Sequence, residues 1–108
     1  MPFFEADADS TVLYGNTRFL ATIAKIGARL LKLLPEPSRS NLRSEWMALI
    51  DGERAEGMLV DVETHHGRVL RVRGNRLVDS DGRVSVFGSV DDVTDAVRTE
   101  LALRRDAT

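Results

Sequence analysis

The period of the hydrophobic positions changes as the chain advances, and each change predicts an element. Phe3 to Ala8 and Thr11 to Gly15 are short apolar runs separated by Asp9-Ser10, which predicts two antiparallel strands joined by a tight turn. From Asn16 onward Phe19, Leu20, Ile23, Ile26, Leu30, Leu31 and Leu34 recur at intervals of three and four, the spacing of one buried helical face, with Gly27 a point at which that helix can split in two. The stretch Pro35-Glu36-Pro37-Ser38 stops it, because neither proline continues an interior hydrogen-bond ladder. Ser40 or Asn41 then reads as the N-cap of a further helix that carries Leu42, Trp46 and Leu49 or Ile50 on one stripe, and Asp51-Gly52 as its stop.

Beyond Gly57 the period is two. Met58, Val60 and Val62 alternate with Leu59, Asp61 and Glu63; Leu70 and Val72 with Arg71 and Arg73; Val84 and Val86 with Arg83 and Ser85. The connections His65-His66-Gly67 and Asp79-Ser80-Asp81-Gly82 are short and supply glycine for positive φ, so three hairpin-joined strands are predicted, the last ending near Val93. Thr94 reads as the cap of a final helix in which Val97 and Leu101 fall four apart. The order ββ, helices, βββ, helix predicts an α+β fold, a five-stranded antiparallel sheet with short helices on one face and a C-terminal helix.

The length of 108 residues fits one domain and its core. With 43% apolar and 30% charged residues the composition is that of a soluble globular protein, and a formal net charge of −2 gives no general attraction to nucleic acid or to an anionic membrane. The chain has no cysteine, which excludes disulfides, thiolate metal sites and a cysteine nucleophile. The greasiest region, FLATIAKIGARLLKLL, is broken by Lys25, Arg29 and Lys32 and is not expected to insert in about 30 Å of hydrocarbon. The acidic start MPFFEADAD is opposite in charge to a secretion signal, so a cytoplasmic location is expected.

The segment RVLRVRGNRLVDSDGRVSVFGSVDDVTD, Arg68 to Asp95, resembles the C-terminal half of a PAS domain, a sensory fold of signalling proteins. The matching features are a strand, the Asp81-Gly82 turn, a strand containing Gly88, and the signature Asp92-Val93-Thr94. LLPEPSRSNLRSEWMALIDGE resembles the family's proline-containing approach to its central helix, and VLYGN its second strand ending in asparagine, here Asn16. The segment from Asn16 to Pro35 is several residues shorter than the family's and lacks its common Gly-Tyr pair, which implies trimmed or rearranged helices around the ligand cavity.

The resemblance implies that Asp92 and Thr94 hydrogen-bond at the junction between the last strand and the outgoing helix, with Gly88 giving close packing, and that these residues couple a signal. Short polar side chains also suit such a junction as plain structural elements, a helix N-cap at Thr94 and a β-bulge at Gly88. Asn16 and Trp46 are candidate ligand-binding residues, although a lone tryptophan at helical spacing is more often core. Val93, Val97 and Leu101 are expected at a dimer or output-helix seam. The resulting division is a PAS-like domain over residues 1–94 and a linker or output helix over 95–108.

Other chemistry is weaker. His65 and His66 are adjacent, so their rings diverge and make a poor chelating pair; a solvated turn is the simpler reading, and no metal site is expected. Haem is not expected, since haem-binding relatives usually draw the axial histidine from a helix. Asn16-Thr17-Arg18-Phe19-Leu20 resembles the Asn-Cys-Arg-Phe-Leu motif of flavin-binding, light-sensing members, but Thr17 stands where the thiol would be and the chain has no glutamine, so flavin is not expected either. Arg68, Arg71, Arg73 and Arg76 read as a solvated sheet face, with Asp61 and Glu63 as cross-strand partners rather than as bases. No catalytic set, kinase or cyclase signature is present. The expectation is therefore a non-catalytic sensory and protein-interaction domain, a homodimer that acts on an output domain or partner signalling protein such as a histidine kinase or cyclic-dinucleotide enzyme. The alternatives are a small curved-sheet enzyme with a carboxylate base and a ligand-free dimerisation module.

Overall fold

In the computed structural model, which describes residues 1–106, the chain runs through β1 (Phe3–Asp7), β2 (Val12–Gly15), α1 (Thr17–Thr22), a 3-10 turn (Leu30–Leu33), α2 (Ser38–Ile50), β3 (Met58–Glu63), β4 (Val69–Val78), β5 (Val84–Asp92) and α3 (Thr94–Asp106). The strands form one antiparallel sheet in the order β2-β1-β5-β4-β3, so the last strand lies at its centre. This is the predicted five-stranded α+β sheet. The expected C-terminal helix is present to Asp106, and positions 107 and 108 of that expectation lie outside the described residues.

Alternation decides the faces. Phe4, Ala6, Val62, Val72, Val86 and Val90 turn inward and are nearly fully buried against Trp46, Leu42 and Leu49 of α2, which removes their apolar surface from water. On the opposite face Phe3 and Phe87 stack at 6.4 Å while remaining exposed. Asp61 faces Arg71 in register and receives its guanidinium at 2.9 and 3.1 Å, the cross-strand pair expected from the alternation.

The three hairpin turns share one construction. Asp7, Thr64 and Asp79 each accept from the backbone N–H groups two and four residues ahead, and the residue three ahead, Ser10, Gly67 or Gly82, has positive φ. Ser10 does so without being glycine, at φ 67°.

Several expectations are corrected. The long helical face from Asn16 to Pro35 is a short α1 and a 3-10 turn, with an irregular, turn-containing stretch between them. There Gly27 (φ 88°) sits in a turn in which Ala28 N donates to Lys25 O at 3.1 Å, and Val12 exchanges hydrogen bonds with Ala28 O at 2.9 Å and Gly27 N at 2.8 Å, while Leu30 N donates to Ser10 O at 3.0 Å. The β1–β2 hairpin thus supplies partners that a helix would have satisfied internally, and Ile26 is left 62% exposed. α2 begins at Ser38 rather than after an N-cap at Ser40 or Asn41; Pro37 holds the cap position, and the Ser38 hydroxyl accepts from Glu63 N at 2.9 Å instead. The β4–β5 register runs unbroken through Gly88, so no bulge forms there.

Candidate functional site

Between the inner face of the sheet and the helices lies a cavity of about 930 Å³. Its inner wall is apolar: Phe4, Leu42, Trp46, Val62, Val72 and Val90, all nearly fully buried. The segment that the sequence marks as shortened supplies Arg18, Thr22, Ile23, Leu30, Leu33 and Leu34 to the opposite wall. Because the inner residues leave almost no surface free, the accessible space lies toward Ile23, Leu33 and Leu70 and the polar rim of Arg18, Thr64, His65, His66, Arg68, Asp91 and Asp92.

That rim is also where β5 hands over to α3. Antiparallel pairing sets Leu70 opposite Asp92, which brings the start of β4 and the β3–β4 turn to the end of the last strand. Asp92 Oδ1 accepts from the Thr94 hydroxyl at 2.6 Å and from Thr94 N at 3.0 Å; its Oδ2 accepts from Arg68 Nε and Nη2 at 3.0 and 2.8 Å. Thr94 Oγ1 in turn accepts from Val69 N at 2.8 Å, and Val93 N donates to Val69 O at 2.9 Å. The Thr94 hydrogen bonds, followed by Arg68, stabilise the charged form of Asp92 and hold its carboxyl down at about 2. Thr94 was expected to cap α3; its hydroxyl is directed across to β4 instead, and Asp92 receives the Thr94 N–H.

The other sequence candidates are distributed as follows. Trp46 stands in the cavity wall, fully buried, its indole Nε1 donating to Ala8 O at 3.1 Å and its ring 6.4 Å from Phe4. Asn16 is not among the cavity-lining residues: its Oδ1 caps α1 at Phe19 N and accepts from Phe3 N, both at 3.0 Å, and its Nδ2 donates to Met1 O. Gly88 lies against β4, where a Cβ would stand 2.0 Å from Arg73 O. Val93 is buried within the domain, whereas Val97 is half-buried and Leu101 exposed. His65 and His66 lie in an exposed turn, as the sequence suggests, but that turn borders the cavity. Among the described residues no group of three or more metal-binding side chains converges, and no helix is long and apolar enough to cross a membrane.

Two participants escape the sequence reading. Arg68 read as one of four arginines on a wet face, and Val69 offers only its backbone. Counting the register back from the Asp79-Ser80-Asp81-Gly82 turn would have found both, because that turn fixes which β4 residues face the end of β5.

The fold matches that of several solved structures. The sensor region of a sensor histidine kinase superposes with a TM-score of 0.68 at 22% identity, covering 88% of this chain and 40% of that one. A sensory box histidine kinase/response regulator from Burkholderia thailandensis gives 0.68 at 21% identity over 98% of this chain and 86% of that one. The Cycle PAS-B domain of Drosophila melanogaster, with bound ethylene glycol, gives 0.69 at 8% identity over 85% of this chain and 99% of that one. No curated protein matches the chain. The family model described as PAS fold matches residues 1–98, spanning every strand, the cavity and the Asp92–Thr94 junction; the chain belongs to the PAS-fold family.

Proposed function

We propose that this chain is a non-catalytic sensory and protein-interaction domain, in which a small molecule in the cavity changes the β5–α3 junction and so the position of the helix that begins at Thr94. The observation that carries this reading is that Arg68 and Asp92 line the cavity and belong at the same time to the hydrogen-bonded cluster that fixes the first residue of α3. A ligand shifts such an equilibrium only through unequal affinity for its two states, and a rim built from the coupling residues gives it the contacts to do so. Within this reading a second copy packs against Val97 and Leu101 of α3, and an output region or partner signalling protein receives the change; the fold's likeness to sensor regions of histidine kinases supports that role. Neither haem nor flavin enters it. Asp61 is paired with Arg71 on the wet face and Glu63 is exposed, so neither carboxylate supports the enzyme alternative.

Native mass spectrometry on the chain as purified, followed by hydrogen exchange with and without whatever small molecule it retains, tests the proposal. Occupancy is expected to change exchange at Val69, Val93 and the first turn of α3, and Thr94→Ala to suppress that change more than it weakens binding. Binding that leaves α3 unaltered in the unmodified chain would overturn the proposal.

A further inference from the structure

The cavity's chemistry is graded from one end to the other. Its inner wall offers no charge, whereas its mouth carries two guanidinium groups, two imidazoles and two carboxylates. Of the carboxylates, Asp92 holds Arg68, whereas Asp91 stands in register opposite Arg71, which Asp61 already binds on the wet face, and strand alternation turns Asp91 to that side, away from the face that Asp92 shares with the cavity. Arg18, on α1, makes no ion pair among the described residues. Asp91 on the wet side apart, the charge at the mouth left without an ion pair among the described residues is that of Arg18, and it sits above an apolar interior.

We propose that the cavity takes a molecule with an apolar body and a single carboxylate head, held between Arg18 and Arg68, and that Arg68 exchanges Asp92 for that head. This rests on the reading of the cavity as a ligand site given above. Three features make Arg68 able to exchange. It bonds only to Oδ2 of Asp92, so its departure leaves both Thr94 hydrogen bonds on Oδ1 in place. Its ion pair is open to water, with side-chain exposures of 48% and 41%, and such pairs contribute little to stability. Its backbone is fixed by donation from Arg68 N to Thr64 Oγ1 at 3.2 Å and from Thr64 N to Arg68 O at 2.9 Å, so the side chain can swing without moving the turn. The exchange removes one of the ties between the start of β4 and the end of β5. An uncharged molecule of the same shape fills the cavity without freeing Arg68, so the charge, rather than occupancy alone, is what reaches α3.

Octanoate and 1-octanol, which differ in the head group, are suitable probes for calorimetric titration and amide NMR of the 108-residue chain. Octanoate is expected to bind roughly ten-fold or more tighter, the worth of a charge-assisted hydrogen bond. Arg18→Gln and Arg68→Gln should each shrink that ratio, and octanoate alone should shift the Val69 and Thr94 amide signals. Equal affinities, or a ratio untouched by both variants, would overturn the carboxylate inference while leaving the cavity a ligand site. Octanoate binding with unmoved Val69 and Thr94 signals would overturn the exchange. If neither probe binds a chain whose spectrum shows it folded, the ligand-site reading and this inference fall together.

Discussion

Thr94 Oγ1 accepts a hydrogen bond from Val69 N at 2.8 Å, so the first residue of α3 is fastened to the first residue of β4 rather than to its own helix. One short side chain thereby joins three elements, because its hydroxyl proton goes to Asp92 Oδ1 at the end of β5. Thr94 is 1% exposed, so water cannot readily replace these partners.

Thr94→Val keeps the side-chain shape and removes the acceptor. The Val69 N–H is left without its partner, a loss of about 1–3 kcal/mol by the usual cost of an unsatisfied buried donor. Thr94→Ser keeps the hydroxyl and should lose only the methyl group's burial, about 0.8 kcal/mol. Urea denaturation of both variants checks the order; a valine variant as stable as the serine one would show the hydroxyl to be dispensable.

Gly88 and Gly74 face each other across β4 and β5, yet alanine should be tolerated differently at the two. At Gly88 the new methyl group would stand 2.0 Å from Arg73 O, a backbone atom that cannot move without shifting the strand. At Gly74 it would meet Val86 Cγ1 at 2.9 Å and Met58 Cε at 3.0 Å, and the methionine end can give way. Gly88→Ala should reach or exceed the upper end of the roughly 1–3 kcal/mol typical of overpacking, and Gly74→Ala should fall below it. Thermal unfolding of the two variants side by side decides the matter.

Ser10 occupies in the first hairpin the place that Gly67 and Gly82 hold in the others. Its left-handed conformation costs about 1–2 kcal/mol relative to glycine. In return its Oγ accepts from Leu31 N at 3.2 Å and ties the hairpin to the 3-10 turn. Ser10→Ala gives up that bond and keeps the strain, whereas Ser10→Gly gives up the bond and relieves it. The alanine variant should therefore be the less stable by about 1–2 kcal/mol in chemical denaturation.

What the sequence discloses follows from how local the deciding interaction is. The alternation of Met58, Val62 and Val72 against Asp61, Arg71 and Arg73 is set by the pleat, so β3 to β5 and their wet face are legible without coordinates. Trp46 as core follows from its helical stripe, and Asp51-Gly52 as a stop from the φ of 81° that glycine readily adopts. Ile26 defeats the same logic, since the departure from helix is driven by Val12, a residue distant in sequence. At the site, Asp92 and Thr94 are legible because their motif is contiguous. Their partners Arg68 and Val69 lie 24 and 25 residues back, and only the register joins them.

The same cluster predicts a pH signature. Asp92 is held at about 2 when folded, chiefly by the Thr94 hydroxyl and N–H and then by Arg68, against an ordinary aspartate value near 4. A carboxyl depressed by folding adds stability that is complete above its unfolded value and is lost as the pH falls toward its folded one. Asp61, lowered by its hydrogen bonds from Arg71, contributes in the same direction. Asp92→Asn retains an oxygen acceptor for Thr94 and cannot titrate, so its urea midpoint should decline less steeply than that of the unmodified chain between about pH 4 and pH 2. Adding Asp61→Asn should flatten the remaining slope further. The two effects should add, because Asp61 and Asp92 share no hydrogen-bond partner. Parallel acid limbs in the unmodified and Asp92→Asn proteins would mean that the carboxylate at the β5–α3 junction is not held in its charged form by Thr94.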